Sequence, residues 1–200
     1  MRKKTKKFSY RRRSPYVLLD RITKFELEAI DHFLELAGNA HATERQALEG
    51  LQQSASTGVP DDWLIDDFVQ LGNFARLAAE FAIVGLWRCV ELYRQRALLL
   101  ELGEDAARQA FSNKQFEAHL ISLGIKETRI SCWKSVNELR CLNNCIKHSG
   151  RVDSELATIS RWKKKKGRKL ENLEAHFQRL RPLVPRYLQD VSRRLNHARS

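Results

Sequence analysis

The sequence has little of what marks secreted and membrane proteins. It contains 4 cysteines in 200 residues, without disulfide spacing, which is typical of a protein in a reducing cytoplasm. Its longest apolar run, LAAEFAIVGLW, is interrupted by Glu80 and is shorter than the roughly 20 residues that cross a membrane. The basic start continues into Arg and Ser-Pro instead of an apolar core, which is unlike a signal peptide. We therefore expect a cytoplasmic protein without membrane contact.

Motifs of several enzyme classes are missing as well. There is no glycine-rich phosphate loop, no HExxH sequence and no arrangement that supports a Ser-His-Asp triad, so NTP-driven and zinc-protease functions have no basis here. Internal repeats, alternating strand patterns and β-hairpin signals are also absent. These absences favour an all-α fold, and we expect no cofactor.

Basic residues are abundant, and their position matters more than their number. The formal net charge is +12, but residues 1–16 hold eight basic residues and residues 161–169 hold seven, without an acid in either segment. The rest of the chain is therefore mildly acidic, at −3. Dense positive charge suits RNA, because each neutralised phosphate releases counterions; the alternative is that the segments are solvated and aid solubility. The predicted RNA contacts are Lys3, Lys4, Arg11, Arg12, Arg13, Trp162, Lys163, Lys164, Lys165 and Lys166.

The apolar pattern divides the chain into a short tail and one helical domain. Residues 1–13 offer too little apolar surface to offset the entropy of ordering, and we predict a disordered basic tail. Residues 14–200 are enough for a single domain with a substantial core. Ser14-Pro15 favours the start of a first helix, and Gly38 is predicted to end it. The inward face predicted for this helix consists of Leu18, Ile22, Phe25, Ala29, Phe33 and Leu36.

One long central helix dominates the pattern. Apolar residues recur every three or four positions from Leu64 to Leu100, and Gly103 can end the helix. A shorter helix over 43–52 and a loop over 54–60 are predicted before it. On its other side Glu80 lies among apolar neighbours, where a carboxylate can hold a catalytic Arg or His. The alternative for Glu80 is an ion pair with Arg76, one turn earlier.

The C-terminal part combines the basic segment RWKKKKGRK with a last helix. Trp162 within this segment can stack on a base while the cations hold phosphates; alternatively, it is an aromatic anchor tucked onto the domain. The last helix is predicted from about residue 170, and Pro182 and Pro185 must bend or break it.

A helix predicted over about 127–149 carries most of the chemistry. At about 100° per residue its apolar residues fall on one side, and a polar strip follows on the other until Gly150 ends the helix. Arg in this strip supplies a permanent charge and a fork of donors, and His suits acid and base catalysis near neutral pH. Such a strip can serve phosphate chemistry. Its members are Asn137, Arg140, Asn144 and His148.

A metal site is an alternative use of the same helix. Cys141, Cys145 and His148 have the spacing i, i+4 and i+7, so their side chains could converge. A structural zinc site normally needs four ligands, and no fourth is evident in the sequence. Buried small cysteines are the simpler interpretation, so we predict no metal.

The sequence ELRCLNNCIKHSG in this helix resembles the signature helix of the HEPN superfamily. HEPN proteins are small all-helical domains of prokaryotic toxin–antitoxin and anti-phage systems, many of them metal-independent RNases, with an Arg followed by a His late in one helix. Arg140 and His148 match that pair and Asn144 is the polar companion, although the spacing of Arg and His is longer than the family's pattern. On an ideal helix the pair lies about 80° apart around the axis and about 12 Å apart along it. To meet on one phosphate it needs a bend, a partner chain or a different Arg.

The resemblance implies a HEPN-like helical bundle and a metal-independent endoribonuclease of the toxin or defence type. His148 would act as general acid or base, Arg140 would stabilise charge on the phosphoryl oxygens, and Asn144 would orient the His or bind phosphate. Glu80 is the fourth candidate catalytic residue. The resemblance further implies a homodimer, with an antitoxin or sensor protein as a second partner. The alternative is a catalytically silent helical module that binds RNA or a partner protein.

Overall fold

Residues 15–54, 62–103 and 112–199 are described by a computed structural model, and their secondary structure is helical. The α-helices are α1 Pro15–Ser54, α2 Asp62–Leu102, α3 Asn113–Ser122, α4 Trp133–His148, α5 Leu173–Leu180 and α6 Leu183–Ala198. Two 3-10 turns, Glu127–Arg129 and Leu156–Thr158, precede and follow α4. These ranges contain no strand, only an isolated antiparallel bridge between Arg151 and Lys169. The predicted all-α class is confirmed, whereas the predicted tail over 1–13 and most of the loop over 54–60 lie outside the described residues.

Helix α2 is the centre of the fold, as its apolar periodicity predicts. It spans 41 residues, and it contacts every other α-helix of the described ranges. Leu86, Val90, Tyr93 and Ala97 are fully buried along one face, in the register that the sequence pattern indicates. Gly103 follows the helix with a φ of +81°, the left-handed conformation that ends many helices and that glycine adopts without strain.

Helix α1 differs from the prediction in length and in orientation. It continues without interruption through Gly38 to Ser54, so the predicted end at Gly38 and the separate helix over 43–52 are wrong. Its buried apolar residues are Tyr16, Leu19, Leu27, Ala37 and Leu48, whereas the predicted inward face is exposed. Helix α1 has two apolar stripes, and periodicity alone does not tell which one packs inward. Helix α2 packs against the Tyr16 side, and there Ile30 of α1 lies over Gly85 of α2, 3.4 Å from where a Cβ atom would stand.

Helix α4 is enclosed by other elements over most of its circumference. Its buried residues are Val136, Glu138, Leu139, Cys141, Leu142, Asn143 and Cys145. The helix begins later than predicted because the chain forms a 3-10 turn first and then reverses at Cys132, whose φ is +59°. Asp190 of α6 fixes this entry by accepting the Ser131 N–H at 2.9 Å. At the other end the Gly150 N–H donates to the Cys145 carbonyl at 2.8 Å, as expected of a glycine that ends a helix.

The last helical segment is broken at Pro182, as predicted from its prolines. Helix α5 ends at Leu180 and α6 begins at Leu183. Pro185 lies in the first turn of α6, where its missing N–H leaves no helical hydrogen bond unmade. In the described part of the chain, none of the helices is both long and apolar enough to cross a membrane.

Candidate nucleic-acid interface

Residues 161–169, which we call the basic loop, fold back onto the end of α4. Backbone hydrogen bonds close the loop at its base: the Leu170 N–H donates to the Gly150 carbonyl at 2.8 Å, and the Val152 N–H donates to the Arg168 carbonyl at 2.9 Å. Gly167 N–H also donates to the Val152 carbonyl, at 2.8 Å. Because these hydrogen bonds close the loop repeatedly, the basic residues are presented from a defined backbone rather than from a loose segment.

Trp162 anchors the basic loop to the core. It is 1% exposed, and its indole N–H donates to Oε1 of the buried Glu138 of α4 at 2.8 Å. Arg179 of α5 donates to the same oxygen at 2.7 Å, and the ring of His176 lies 4.6 Å from the indole ring. Burial, and then the charge of Arg179, lower the pKa of His176 and favour its neutral form. Trp162 therefore occupies the position of the predicted aromatic anchor, and a ring buried this deeply is not free to stack on a base.

The anchor leaves the cations of the basic loop at the surface. Lys163, Lys164 and Lys166 are exposed, and no ion pair joins them to a carboxylate of the described residues. Lys165 is exposed too, but its Nζ lies 5.1 Å from the centre of the Trp162 ring, within the range of a cation–π contact. Three of the four predicted lysine contacts thus extend freely toward solvent. The other predicted RNA contacts lie outside the described residues: Lys3, Lys4, Arg11, Arg12 and Arg13.

Arg140 lies on the predicted polar strip but is already occupied. It is half-buried, and its Nε and Nη2 donate to Oδ1 of Asn137 at 3.2 and 3.1 Å. Its guanidinium also pairs with Glu155, beside the second 3-10 turn. Burial opposes the charged form, but the hydrogen bonds to Glu155 outweigh it and raise the pKa of Arg140. The cation is therefore neutralised by a carboxylate of its own chain.

His148 lies at the opposite end of the strip from Arg140. It is the exposed last residue of α4, and α4 is uninterrupted between the two, so the axial separation of about 12 Å is kept. Asn144 lies between them, half-buried, and accepts a hydrogen bond from Asn143 at 3.4 Å. The fold does not bring Arg140 and His148 onto one phosphate within a single chain. It places His148 two residues before Gly150, at the base of the basic loop.

Glu80 forms an ion pair with Arg76, which the sequence analysis gave as the alternative to a catalytic role. Nη1 of Arg76, one turn earlier in α2, donates to Glu80 at 2.7 Å, and the Glu80 side chain is 20% exposed. Among the described residues, no His or second Arg is bonded to Glu80. A catalytic role for Glu80 therefore has no geometric support.

The cysteines of the described chain are free thiols. Burial raises the pKa of Cys89 and of Cys141 to about 11, and it also raises the pKa of Cys145, so these thiols are protonated near neutral pH. Across the described ranges no group of three or more His, Cys, Asp or Glu is arranged to hold a metal ion. The convergence of Cys141, Cys145 and His148 on a metal is not supported.

A cavity of about 390 Å³ beside the start of α4 contains a buried cation that the sequence analysis missed. Arg94 of α2 reaches it and is 4% exposed; it pairs with Glu127 and donates to the Tyr187 hydroxyl at 2.7 Å. Arg140 lines the same cavity. Arg94 follows the buried Val90 by four residues on the core face of α2, and this position in the sequence indicates that its side chain is buried. Since each arginine has its own carboxylate, the cavity is a charge-paired joint between helices rather than an open anion site.

Comparison with known proteins adds no assignment. No protein-family model, no curated protein and no solved structure matches this chain. The HEPN resemblance therefore rests on the residues of α4 alone and stays a prediction. The basic loop, its Trp162 anchor and the exposed His148 beside it are the features of this chain that suit a nucleic acid.

Proposed function

We propose that this chain is an RNA-binding protein whose basic loop holds the phosphate backbone. One observation carries the proposal: three unpaired, exposed lysines project from a loop whose backbone is fixed by Trp162 and by hydrogen bonds at its base. Cations held on an ordered loop lose less conformational entropy on binding than cations on a mobile segment. RNA is proposed rather than DNA because the sequence of α4 resembles that of RNA-cleaving domains.

The test is the affinity for a short fluorescent single-stranded RNA, measured by anisotropy in 0.1 M salt. Replacing Lys163, Lys164 and Lys166 together by Gln should weaken binding about 100-fold. Each lost phosphate contact removes about 0.7 from the exponent of the salt dependence, so three lost contacts remove about 2, and at about 0.1 M salt each unit of the exponent is a factor of about ten. Lys165 is left in place since it covers the Trp162 ring. The three changed side chains are exposed, so the variant should fold like the wild type.

A matched control removes the same charge elsewhere. Lys114, Lys126 and Lys134 are exposed near the start of α4, and Lys134 lies about 20 Å along the helix from His148. Replacing these three by Gln should leave the affinity close to that of the wild type. If both triple variants lose the same affinity, only the net charge matters and the loop is not a site. If neither variant loses affinity, the proposal is wrong.

A second candidate function is metal-independent cleavage of RNA by His148. The observation that favours it is the exposure of His148 at the base of the basic loop, where it would meet RNA held by the lysines. The imidazole would serve as general acid or base at the 2′-hydroxyl or the leaving oxygen. Because Arg140 is paired with Glu155, the charge that develops on the phosphoryl oxygens would need a cation from the loop or from a second chain.

Digestion of mixed RNA in EDTA separates the two functions. Cleavage by the wild type that is lost in His148→Ala, while RNA binding persists, would support the catalytic candidate and the toxin or defence role that the resemblance implies. RNA that is bound but left intact by both proteins would leave the binding function alone. Cleavage that persists in His148→Ala would exclude His148 as the catalytic group.

A further inference from the structure

The outer side of α1 carries an apolar stripe that the described fold leaves uncovered. We call Leu18, Ile22, Phe25, Ala29, Phe33 and Leu36 the α1 stripe. Leu18 is 64% exposed and Phe25 is 70% exposed, and all other members are exposed as well. Leu18, Ile22, Phe25, Ala29 and Leu36 have the alternating spacing of a coiled-coil seam, in which a and d positions face a second helix; the exposed His32 occupies the remaining seam position, and Phe33 lies beside it. Single exposed apolar residues are ordinary, but a continuous line of this length indicates an interface.

Charged residues beside the α1 stripe indicate which partner fits. Arg21, Glu28 and Glu35 are exposed and recur every seven residues along one edge of the stripe, at the heptad position whose charges set partner and orientation. If two copies of α1 pair in antiparallel fashion, Arg21 of each copy faces Glu35 of the other. Parallel pairing would instead set Arg21 against Glu26, which Arg96 of its own chain already binds at 2.7 Å, and would leave Glu35 facing Ala40. Glu28 lies near the middle, where Lys24 of the same chain is 3.6 Å from its carboxylate and offsets its charge.

The apolar side chains fit the same antiparallel arrangement. A twofold axis midway between Phe25 and Ala29 sets Phe25 of one copy against Ala29 of the other, so that a large ring meets a small side chain. It also sets Leu18 against Leu36 at both ends of the stripe, and Ile22 against His32 between them. In this register the a positions of one helix face the d positions of the other, which is the pairing expected of antiparallel coiled coils.

We propose that the chain forms a homodimer through antiparallel pairing of the two α1 stripes. The exposed fractions of its five large residues correspond to about 500 Å² per copy, at about 200 Å² for a fully exposed large side chain. Two copies together bury at most about 1,000 Å² of this apolar surface, which is the lower limit for a biological interface and is typical of a weak dimer. The interface is isologous, with the same surface used by both copies.

The dimer leaves the basic loops free. Among the described helices α1 contacts α2 and α6, whereas the basic loop is held by α4 and α5 through Trp162. Each particle therefore carries two RNA-binding loops. This inference does not depend on the RNA-binding proposal, because it rests on α1 alone.

A charge exchange tests the partner and the orientation together, with mass measured by analytical ultracentrifugation in low salt. The wild type should be a dimer. Arg21→Glu and Glu35→Arg should each weaken it about tenfold, because two attractive pairs become two repulsive pairs near the surface. The double variant Arg21→Glu/Glu35→Arg restores both pairs and should dimerise like the wild type. A monomeric wild type would overturn the proposal, and failure of the double variant to recover would overturn the antiparallel orientation.

A second pair of variants tests the apolar stripe itself. Phe25→Gln should shift the protein toward monomer, because it removes the most exposed large side chain of the stripe. Ile121→Gln on α3 is the matched control, since Ile121 is 63% exposed and lies outside the stripe. Both variants should keep the helical circular dichroism of the wild type. Equal dimerisation of Phe25→Gln and wild type would show that the stripe is not the interface.

Discussion

Replacement of Glu138 by Ala should release the basic loop from the core. Glu138 is 5% exposed, and its Oε1 accepts hydrogen bonds from the Trp162 indole and from the Arg179 guanidinium. Without the carboxylate the indole N–H stays buried and unpaired, which costs about 1–3 kcal/mol. The Arg179 side chain is 29% exposed and can turn to water, so its loss is about 1 kcal/mol. We expect the free energy of unfolding to fall by about 3 kcal/mol.

Two further variants separate the parts of this loss. Glu138→Gln keeps an acceptor for Trp162 and loses only the charge that binds Arg179, so it should cost about 1–2 kcal/mol. Trp162→Phe removes the indole donor and keeps most of the apolar ring. If the two side chains act as one unit, the double variant should lose about 1 kcal/mol less unfolding free energy than the sum of the losses in Glu138→Ala and Trp162→Phe.

Urea unfolding and amide hydrogen exchange measure the two consequences separately. Urea unfolding gives the free energy of unfolding. Exchange at the Val152 and Leu170 amides, which close the base of the loop, should accelerate in Glu138→Ala because the closed loop opens more often. Affinity for RNA should fall as well, since the lysines must then be ordered on binding. A loss below about 1 kcal/mol with unchanged protection of both amides would refute the anchor.

Two other substitutions test the remaining structural claims. Gly38→Ala should stabilise the protein by about 0.5–1 kcal/mol in urea unfolding, because alanine favours a helix more than glycine does. Gly38 lies exposed inside α1, and a Cβ atom there meets nothing within 4 Å. A loss of stability would contradict a continuous α1. Burial raises the pKa of Asp190, but the Ser131 amide and then Arg193 and Arg194 lower it further, to about 2. Asp190→Asn should therefore lower the free energy of unfolding by about 2 kcal/mol at pH 7. This difference from the wild type should shrink as the pH falls from about 4 to about 2, because protonation of Asp190 then removes the same contribution from the wild type. A difference in unfolding free energy that does not change with pH would contradict the ionic role.

Helix α2 and the polar strip of α4 could be predicted because the sequence pattern alone decides them. An apolar residue every three or four positions from Leu64 onward fits only a long helix, and Gly103 ends it. On α4 the pattern separates the buried Val136, Leu139 and Leu142 from the less buried strip, but it does not show that Glu138 and Asn143 are buried as well. Gly150 indicated the C-terminal end of α4, and the prolines indicated the break before α6.

The orientation of α1 and the role of Trp162 could not be predicted, because both depend on tertiary contacts. Helix α1 has two apolar stripes, and only packing against α2 decides which one is buried. Trp162 is surrounded by lysines in the sequence, and its burial follows from Glu138, an acid on the far side of α4 from the polar strip. Arg94 stands at a core-facing position of α2, but its partners Glu127 and Tyr187 come from distant parts of the chain and are not evident in the sequence.

The salt dependence of RNA binding tests the central claim most directly. The logarithm of the dissociation constant is measured against the logarithm of salt concentration for the wild type, the Lys163/Lys164/Lys166 variant and the Lys114/Lys126/Lys134 variant. If the three loop lysines each contact a phosphate, the slope for the loop variant should be smaller than that of the wild type by about 2, and the control should keep the wild-type slope. Equal slopes for all three proteins would contradict RNA binding through the basic loop.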